Sequence, residues 1–169
     1  HGLLLKGCRF YEGLVRVPLI MSWPEAFAGG RVSDALVELT DIAPMLLVIC
    51  SLPHPQRMQG KSLLPLAAGK VDLSDHRPHV HCESSRTLDY LEGDRPGSYG
   101  TMIRDRQYKL VTYHGHDGGE LFDLVADPHE FNNLWDDPAY AGVRFRLLKQ
   151  SFDDMARAVD LGPVRTTAY

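Results

Sequence analysis

Four short runs, 78–83, 99–104, 108–113 and 120–124, are rich in aromatic, β-branched and other apolar residues, and turn-forming residues bound each of them. The last two read Tyr108-Lys109-Leu110-Val111-Thr112-Tyr113 and Glu120-Leu121-Phe122-Asp123-Leu124. Between them lies His114-Gly115-His116-Asp117-Gly118-Gly119, a glycine-rich joint that predicts a hairpin. Sequential short strands with close turns predict a four-stranded antiparallel meander, and one face of such a sheet needs a cover. The expected cover is a helix opened by Pro138, with Tyr140, Val143, Leu147, Leu148, Phe152, Met155 and Val159 as an apolar stripe at helical spacing and Gly162-Pro163 as its stop.

The chain upstream has a different texture. Val15-Arg16-Val17-Pro18-Leu19-Ile20-Met21 predicts a buried strand that ends at Trp23-Pro24. Ala28-Gly29-Gly30 predicts a turn, and 31–39 a short strand. Thr40-Asp41 then offers an N-cap for a helix through Ile42, Leu46, Leu47 and Ile49, with Pro44 in its first turn, where a missing N–H costs little. Asp41 therefore reads as a helix cap rather than a metal ligand. A loop at 52–55 precedes Gly60-Lys61-Ser62-Leu63-Leu64-Pro65-Leu66, a short helix that Gly69 ends. Gly60-Lys61-Ser62 is not a phosphate loop, because the glycine required upstream is absent. The texture changes at residue 70, so the expected division is 1–70 and 71–169, the second an antiparallel-sheet subdomain with the final helix.

With 169 residues, 44% hydrophobic and 24% charged, the chain can build a real core. A net charge of −4 argues against nucleic acid or a membrane surface as a bulk electrostatic partner. No apolar run reaches the roughly 18 residues that span a bilayer. Three cysteines, Cys8, Cys50 and Cys82, show no paired spacing. A cytoplasmic or periplasmic location fits them.

Lys6 stands between Leu3-Leu4-Leu5 and Gly7, just before the expected strand. A lysine held on such a loop can present its three ammonium donors to sulfate or phosphate, although spacing alone reads it as a solvated surface residue. His76, His79 and His81 cluster, as do His114 and His116; imidazoles at i and i+2 share one face of a strand and could bind zinc, but no recognisable ligand set completes them. Glu12 and Arg16 read as structural ion partners.

His1-Gly2, Lys6-Gly7, Tyr11-Glu12-Gly13, Arg16-Val17-Pro18-Leu19 and Trp23-Pro24 occur in an order that resembles the middle of type I sulfatases, of the alkaline-phosphatase-like superfamily. The resemblance continues through Gly60 to Leu66, Met102-Ile103-Arg104, Tyr108-Lys109-Leu110, Glu120 to Leu124, Asp127-Pro128-His129-Glu130 and Asn132-Asn133-Leu134, and so covers essentially the whole chain. It implies an alkaline-phosphatase-like α/β fold, here its C-terminal portion, with 1–70 as the end of the catalytic α/β domain, and hydrolysis of sulfate monoesters of small molecules or glycans. It places Lys6 on the sulfate-contacting lysine and His1 as a neighbour of that contact, and sets His114 and His116 near the substrate entrance.

It also implies two cofactors for the complete enzyme: a divalent cation such as Ca2+, and a formylglycine nucleophile made from Cys or Ser in a Cys/Ser-x-Pro/Ala-x-Arg context. Cys82-Glu83-Ser84-Ser85-Arg86 imitates that context, but Ser84 stands where Pro or Ala belongs, and the run lies downstream of the lysine instead of upstream. The nucleophile and most metal-binding carboxylates of the family belong to an N-terminal half that this sequence does not match. The chain alone is therefore expected to hold no metal and to be inactive, with that half as its partner. Two alternatives stand beside this expectation. One is a phosphonate monoester or phosphodiester hydrolase of the same superfamily. The other is a non-enzymatic module that self-associates through exposed strand edges, forming homo-oligomers.

Overall fold

The computed structural model describes residues 1–3, 7–55, 57–87 and 98–158. The expected meander is present. Strands β1 (Val80–Thr87), β2 (Ser98–Arg104), β3 (Tyr108–Tyr113) and β4 (Gly119–Asp123) form one antiparallel sheet in the order β1-β2-β3-β4. Cys82 pairs with Met102, Met102 with Val111, and Val111 with Glu120. A register shift between Ser84 and Thr87 bulges the end of β1.

Strand alternation divides the side chains between two faces. Ile103, Leu110 and Leu121 point to one face and are buried with Leu147 of the C-terminal helix, beside Tyr108, Trp135, Tyr140 and Val143. A 3₁₀ turn at Pro138–Tyr140 leads into that helix, and the Asp137 carboxylate accepts from the Ala139 N–H at 2.9 Å. The helix itself spans Ala141–Ala158. Its inward stripe is narrower than the spacing predicts: Leu147 and Ser151 are buried, but Phe152 is 70% exposed, because it lies about 100° around the helix from Ser151. Val159, the last residue of the predicted stripe, and the predicted stop at Gly162-Pro163 lie outside the described residues.

The second face has a cover that sequence alone did not supply. Cys8 and Phe10 are buried on Met102 and Val111, with Val15, Cys82 and Tyr113 packed around them. The segment entering from the N-terminus thus closes the side of the sheet opposite the C-terminal helix. The predicted strand at 15–21 does not form. Helix α1 (Glu12–Val15) takes its start, and 16–22 is irregular, with Val17 50% and Ile20 90% exposed. A strand is stabilised by a neighbour's ladder, and no strand among the described residues runs beside this one.

The run 31–38 is likewise irregular rather than a strand. It is held by local bonds: Ser33 Oγ donates to the Leu73 carbonyl and accepts from the Ala35 N–H at 3.1 Å. A 3₁₀ turn (Leu39–Asp41), α2 (Ile42–Ile49) and α3 (Leu64–Ala67) then enclose a separate small core of Met45, Leu63 and Leu66, with Met21, Phe27 and Val37 against it.

Asp41 precedes α2, but its carboxylate makes no capping bond to that helix. It caps backwards instead, accepting from the Glu38 N–H at 2.9 Å in a reciprocal box. The Lys61 N–H (2.7 Å) and the His76 ring (3.1 Å) also reach it, and the Arg77 guanidinium donates to it. A fully buried carboxylate tolerates desolvation only with such a donor set. The same network reaches the sheet, because Glu38 accepts from the His81 N–H at 2.8 Å. Helix α4 is the C-terminal helix, Ala141–Ala158.

Candidate active site and its anchor

Lys6 lies outside the described residues. The chain on either side of it is described, and it is fixed through a buried lysine. Lys109 points from β3 into the face covered by the N-terminal segment, the same face as Val111 and Tyr113. Its side chain is fully buried. The ammonium donates to the Phe10 carbonyl at 2.9 Å and to Glu130 Oε1 at 2.7 Å, and it lies 2.6 Å from Glu12 Oε1. Two acceptors take hydrogen bonds from the ammonium, and Glu12 faces it as an ion-pair partner.

Glu130 completes the clamp, since its second oxygen accepts from the Glu12 N–H at 2.7 Å. Glu130 holds a left-handed backbone, φ +58°, which costs a non-glycine residue roughly 1–2 kcal/mol. Arg104, on the same face of β2, adds a contact to Glu12 Oε1 at 3.3 Å. Glu12 is therefore an ion partner, as its sequence context suggests, whereas Arg16 is exposed.

His1 stands over this anchor. Its ring stacks on Tyr11 with centroids 3.7 Å apart, and its Nε2 lies 2.9 Å from the His129 carbonyl. His1, Gly2, Tyr11, Glu12, Pro128 and His129 line a cleft of about 380 Å³. Farther along the segment, Arg9 donates to the Tyr113 hydroxyl at 2.9 Å and lies 3.5 Å from Glu120. Burial pushes the Tyr113 phenol well above its ordinary range and raises Glu120.

His114 lies elsewhere. It follows Tyr113 at the far end of β3 from Lys109 and turns to the face that packs on α4. There its Nε2 is 3.0 Å from Thr101 Oγ1, and its ring stacks on Tyr99 at 4.7 Å. His116 is exposed in the turn between β3 and β4. The fold thus gathers His1 with the anchor but sets His114 on the opposite face of the sheet.

The histidines of the 76–81 cluster are structural. His76 bonds Asp41, His79 Nε2 lies 2.7 Å from Asp154 on α4, and His81 faces Ser151 at 3.5 Å. Among the described residues no group of three His, Cys, Asp or Glu side chains could hold a metal ion. Cys82 packs against the core on β1, and burial raises its thiol, which disfavours the reactive thiolate. The described residues therefore hold no cluster that fits the divalent cation, and Cys82 with Ser84 two residues on does not fit the formylglycine context that the resemblance implies for a complete enzyme.

Sequence motifs place Lys109 only in a strand and Glu130 only in a turn. A signal for their role was there: Lys109 alternates with Val111 on an inward strand face, where a lone cation needs a buried acceptor.

Comparison with known proteins agrees with this architecture. The family model for the C-terminal region of N-sulphoglucosamine sulphohydrolase matches residues 1–157. Chicken (Gallus gallus) arylsulfatase K is 34% identical over 153 residues, covering 88% of this chain and 26% of that protein. A Δ4,5-hexuronate-2-O-sulfatase from Bacteroides thetaiotaomicron is 29% identical, covering 85% of this chain and 29% of that protein. Among solved structures, a phosphonate monoester hydrolase from Silicibacter pomeroyi superposes with a TM-score of 0.70 at 29% identity, over 80% of this chain and 28% of that one. The chain thus spans between a quarter and a third of the length of these relatives. With a meander closed by a C-terminal helix and a family match over nearly its whole length, the chain belongs to the type I sulfatases of the alkaline-phosphatase-like superfamily, in their C-terminal portion.

Proposed function

We propose that this chain serves in the hydrolysis of sulfate monoesters carried on sugars, as the part of the enzyme that holds the sulfate through Lys6. The observation that carries the proposal is family membership over residues 1–157. The Lys109–Glu130 clamp supports it, because it fixes the chain from Phe10 to Glu12, a few residues beyond Lys6, against a rigid sheet. A contact to an anion gains most when its backbone is held before the substrate arrives.

His1 would stand beside the contact, and of the two hairpin histidines the exposed His116 would be the one to reach the substrate, since His114 turns to the opposite face of the sheet. The sugar as carrier of the ester follows the hexuronate named for the bacterial relative. The nucleophile and the cation belong to the family's N-terminal half, so the isolated chain turns over no sulfate ester. The division at residue 70 would separate the small core around Met45 from the sheet.

A second reading is hydrolysis of phosphonate monoesters, favoured by the superposition with the phosphonate monoester hydrolase. The experiment joins this chain to a sulfatase N-terminal half and compares kcat/KM on an aryl sulfate and an aryl phosphonate monoester. Preference for the sulfate supports the first reading. Preference for the phosphonate overturns it in favour of the second.

A further inference from the structure

Four aromatic rings collect at the mouth of the cleft beside the anchor. His1 stacks on Tyr11 with planes 10° apart. Phe131 lies 5.4 Å from the His1 ring and 5.9 Å from the His129 ring. Tyr11 in turn leans on Phe122 of β4 at 6.2 Å, which ties the group to the sheet. Phe131 is 71% exposed although it directly follows the buried Glu130.

A lone exposed phenylalanine needs no explanation. This one extends an aromatic group whose other members line a concave space of about 380 Å³, within the range of small-molecule sites. The carboxylates beneath it are already engaged, Glu130 by Lys109 and the Glu12 N–H, Glu12 by Lys109 and Arg104. The chemistry left at the opening is an aromatic face edged by two exposed imidazole rings, of which His1 already uses its Nε2 on the His129 carbonyl. That combination suits a pyranose ring. The axial C–H bonds of a sugar pack on an aromatic face, and its hydroxyl groups take hydrogen bonds at the rim.

We propose that His1, Tyr11, His129 and Phe131 form a carbohydrate-stacking subsite that takes a sugar ring adjoining the sulfated one. The position relative to the sulfated ring rests on the sulfatase reading above; the stacking does not.

The test titrates the 169-residue chain with a sulfated disaccharide and with its unsulfated counterpart, using saturation-transfer NMR and calorimetry. Phe131→Ala, Phe131→Leu and Phe131→Trp are compared with the unmutated chain. Binding of the disaccharide that weakens about three- to tenfold in the Ala and Leu variants and survives in Trp is expected, the size reflecting the loss of one aromatic contact. Leu keeps the apolar bulk and removes only the ring, so it separates stacking from stability should the Ala variant unfold. Equal binding by the unmutated chain and Phe131→Leu overturns the subsite, as does no binding of either disaccharide at millimolar concentration. Loss of the unsulfated ligand's binding in Phe131→Leu upholds the subsite even if the sulfatase reading fails its own turnover test.

Discussion

Lys109 Nζ lies 2.7 Å from Glu130 Oε1, with the lysine side chain fully buried and the glutamate at φ +58°. One residue comes from the start of β3 and the other from the loop after β4, and both bind the N-terminal segment, through Phe10 O and the Glu12 N–H.

Removing one side of this pair leaves a buried charge without its partner. Lys109→Met is expected to cost about 3–5 kcal/mol. Adding Glu130→Gln to Lys109→Met should recover part of that loss, since the stranded carboxylate goes with it. Urea denaturation of the two singles and the double measures both. Additive losses would show that the residues act independently.

The backbone at Glu130 permits a separate test. Glycine adopts φ +58° without strain, whereas alanine does not. Both substitutions remove the carboxylate, so their difference isolates the backbone. Glu130→Gly should be more stable than Glu130→Ala by about 1 kcal/mol. Thermal unfolding of the pair decides it, and a less stable glycine variant would contradict the left-handed assignment.

Gly100 lies where the N-terminal segment meets β2. A Cβ there would come within 2.8 Å of Cys8 Sγ and 2.9 Å of the Phe10 ring. Gly100→Ala should therefore push the segment off the sheet, at about 1–3 kcal/mol. Alkylation of Cys8, buried in the folded chain, should speed up in step with the loss. An unchanged alkylation rate would mean that the segment does not pack as described.

Two carboxylates set opposite pH trends. Burial raises the Asp123 carboxyl, but N–H bonds from Ala126 and Val125 and the Gln107 amide outweigh it and hold it below its ordinary value. Its stabilisation is present above the unfolded-state value of about 3.9 and is lost as pH falls through the lower folded value. Burial raises Glu120, whose neighbour Arg9 only partly compensates. Its ionisation therefore takes stability away as pH rises from about 4.3 through the raised folded value. Asp123→Asn should lower stability at pH 7 and flatten the acid limb, while Glu120→Gln should raise stability at pH 7. Urea midpoints across pH 3–8 test both signs.

The meander was legible because each of its strands finds a partner close in sequence: Tyr108 pairs with Asp123, and Gly100 with Tyr113, across short turns. Periodicity and turn residues report such local pairing well. Val15 to Met21 misled for the opposite reason. Its composition suits a buried strand, but a strand also needs a neighbour, and composition does not say whether one is present. The Asp41 network escaped because its donors, Lys61, His76 and Arg77, converge from 20 to 36 residues away. The anchor escaped for the same reason, as Lys109 reaches Phe10 and Glu130 across 99 and 21 residues. Motif order could mark Lys6 and His1 as candidates, but not the distant buried pair that holds the chain beside them.

The most direct measurement is kcat/KM on an aryl sulfate for this chain joined to a sulfatase N-terminal half, with Lys6 and with Lys6→Ala. The account predicts a fall of roughly 10²–10³-fold, chiefly in kcat, the loss of one charged contact to the developing transition state. Unchanged turnover in Lys6→Ala would contradict it and leave this chain a structural support without a hand in the chemistry.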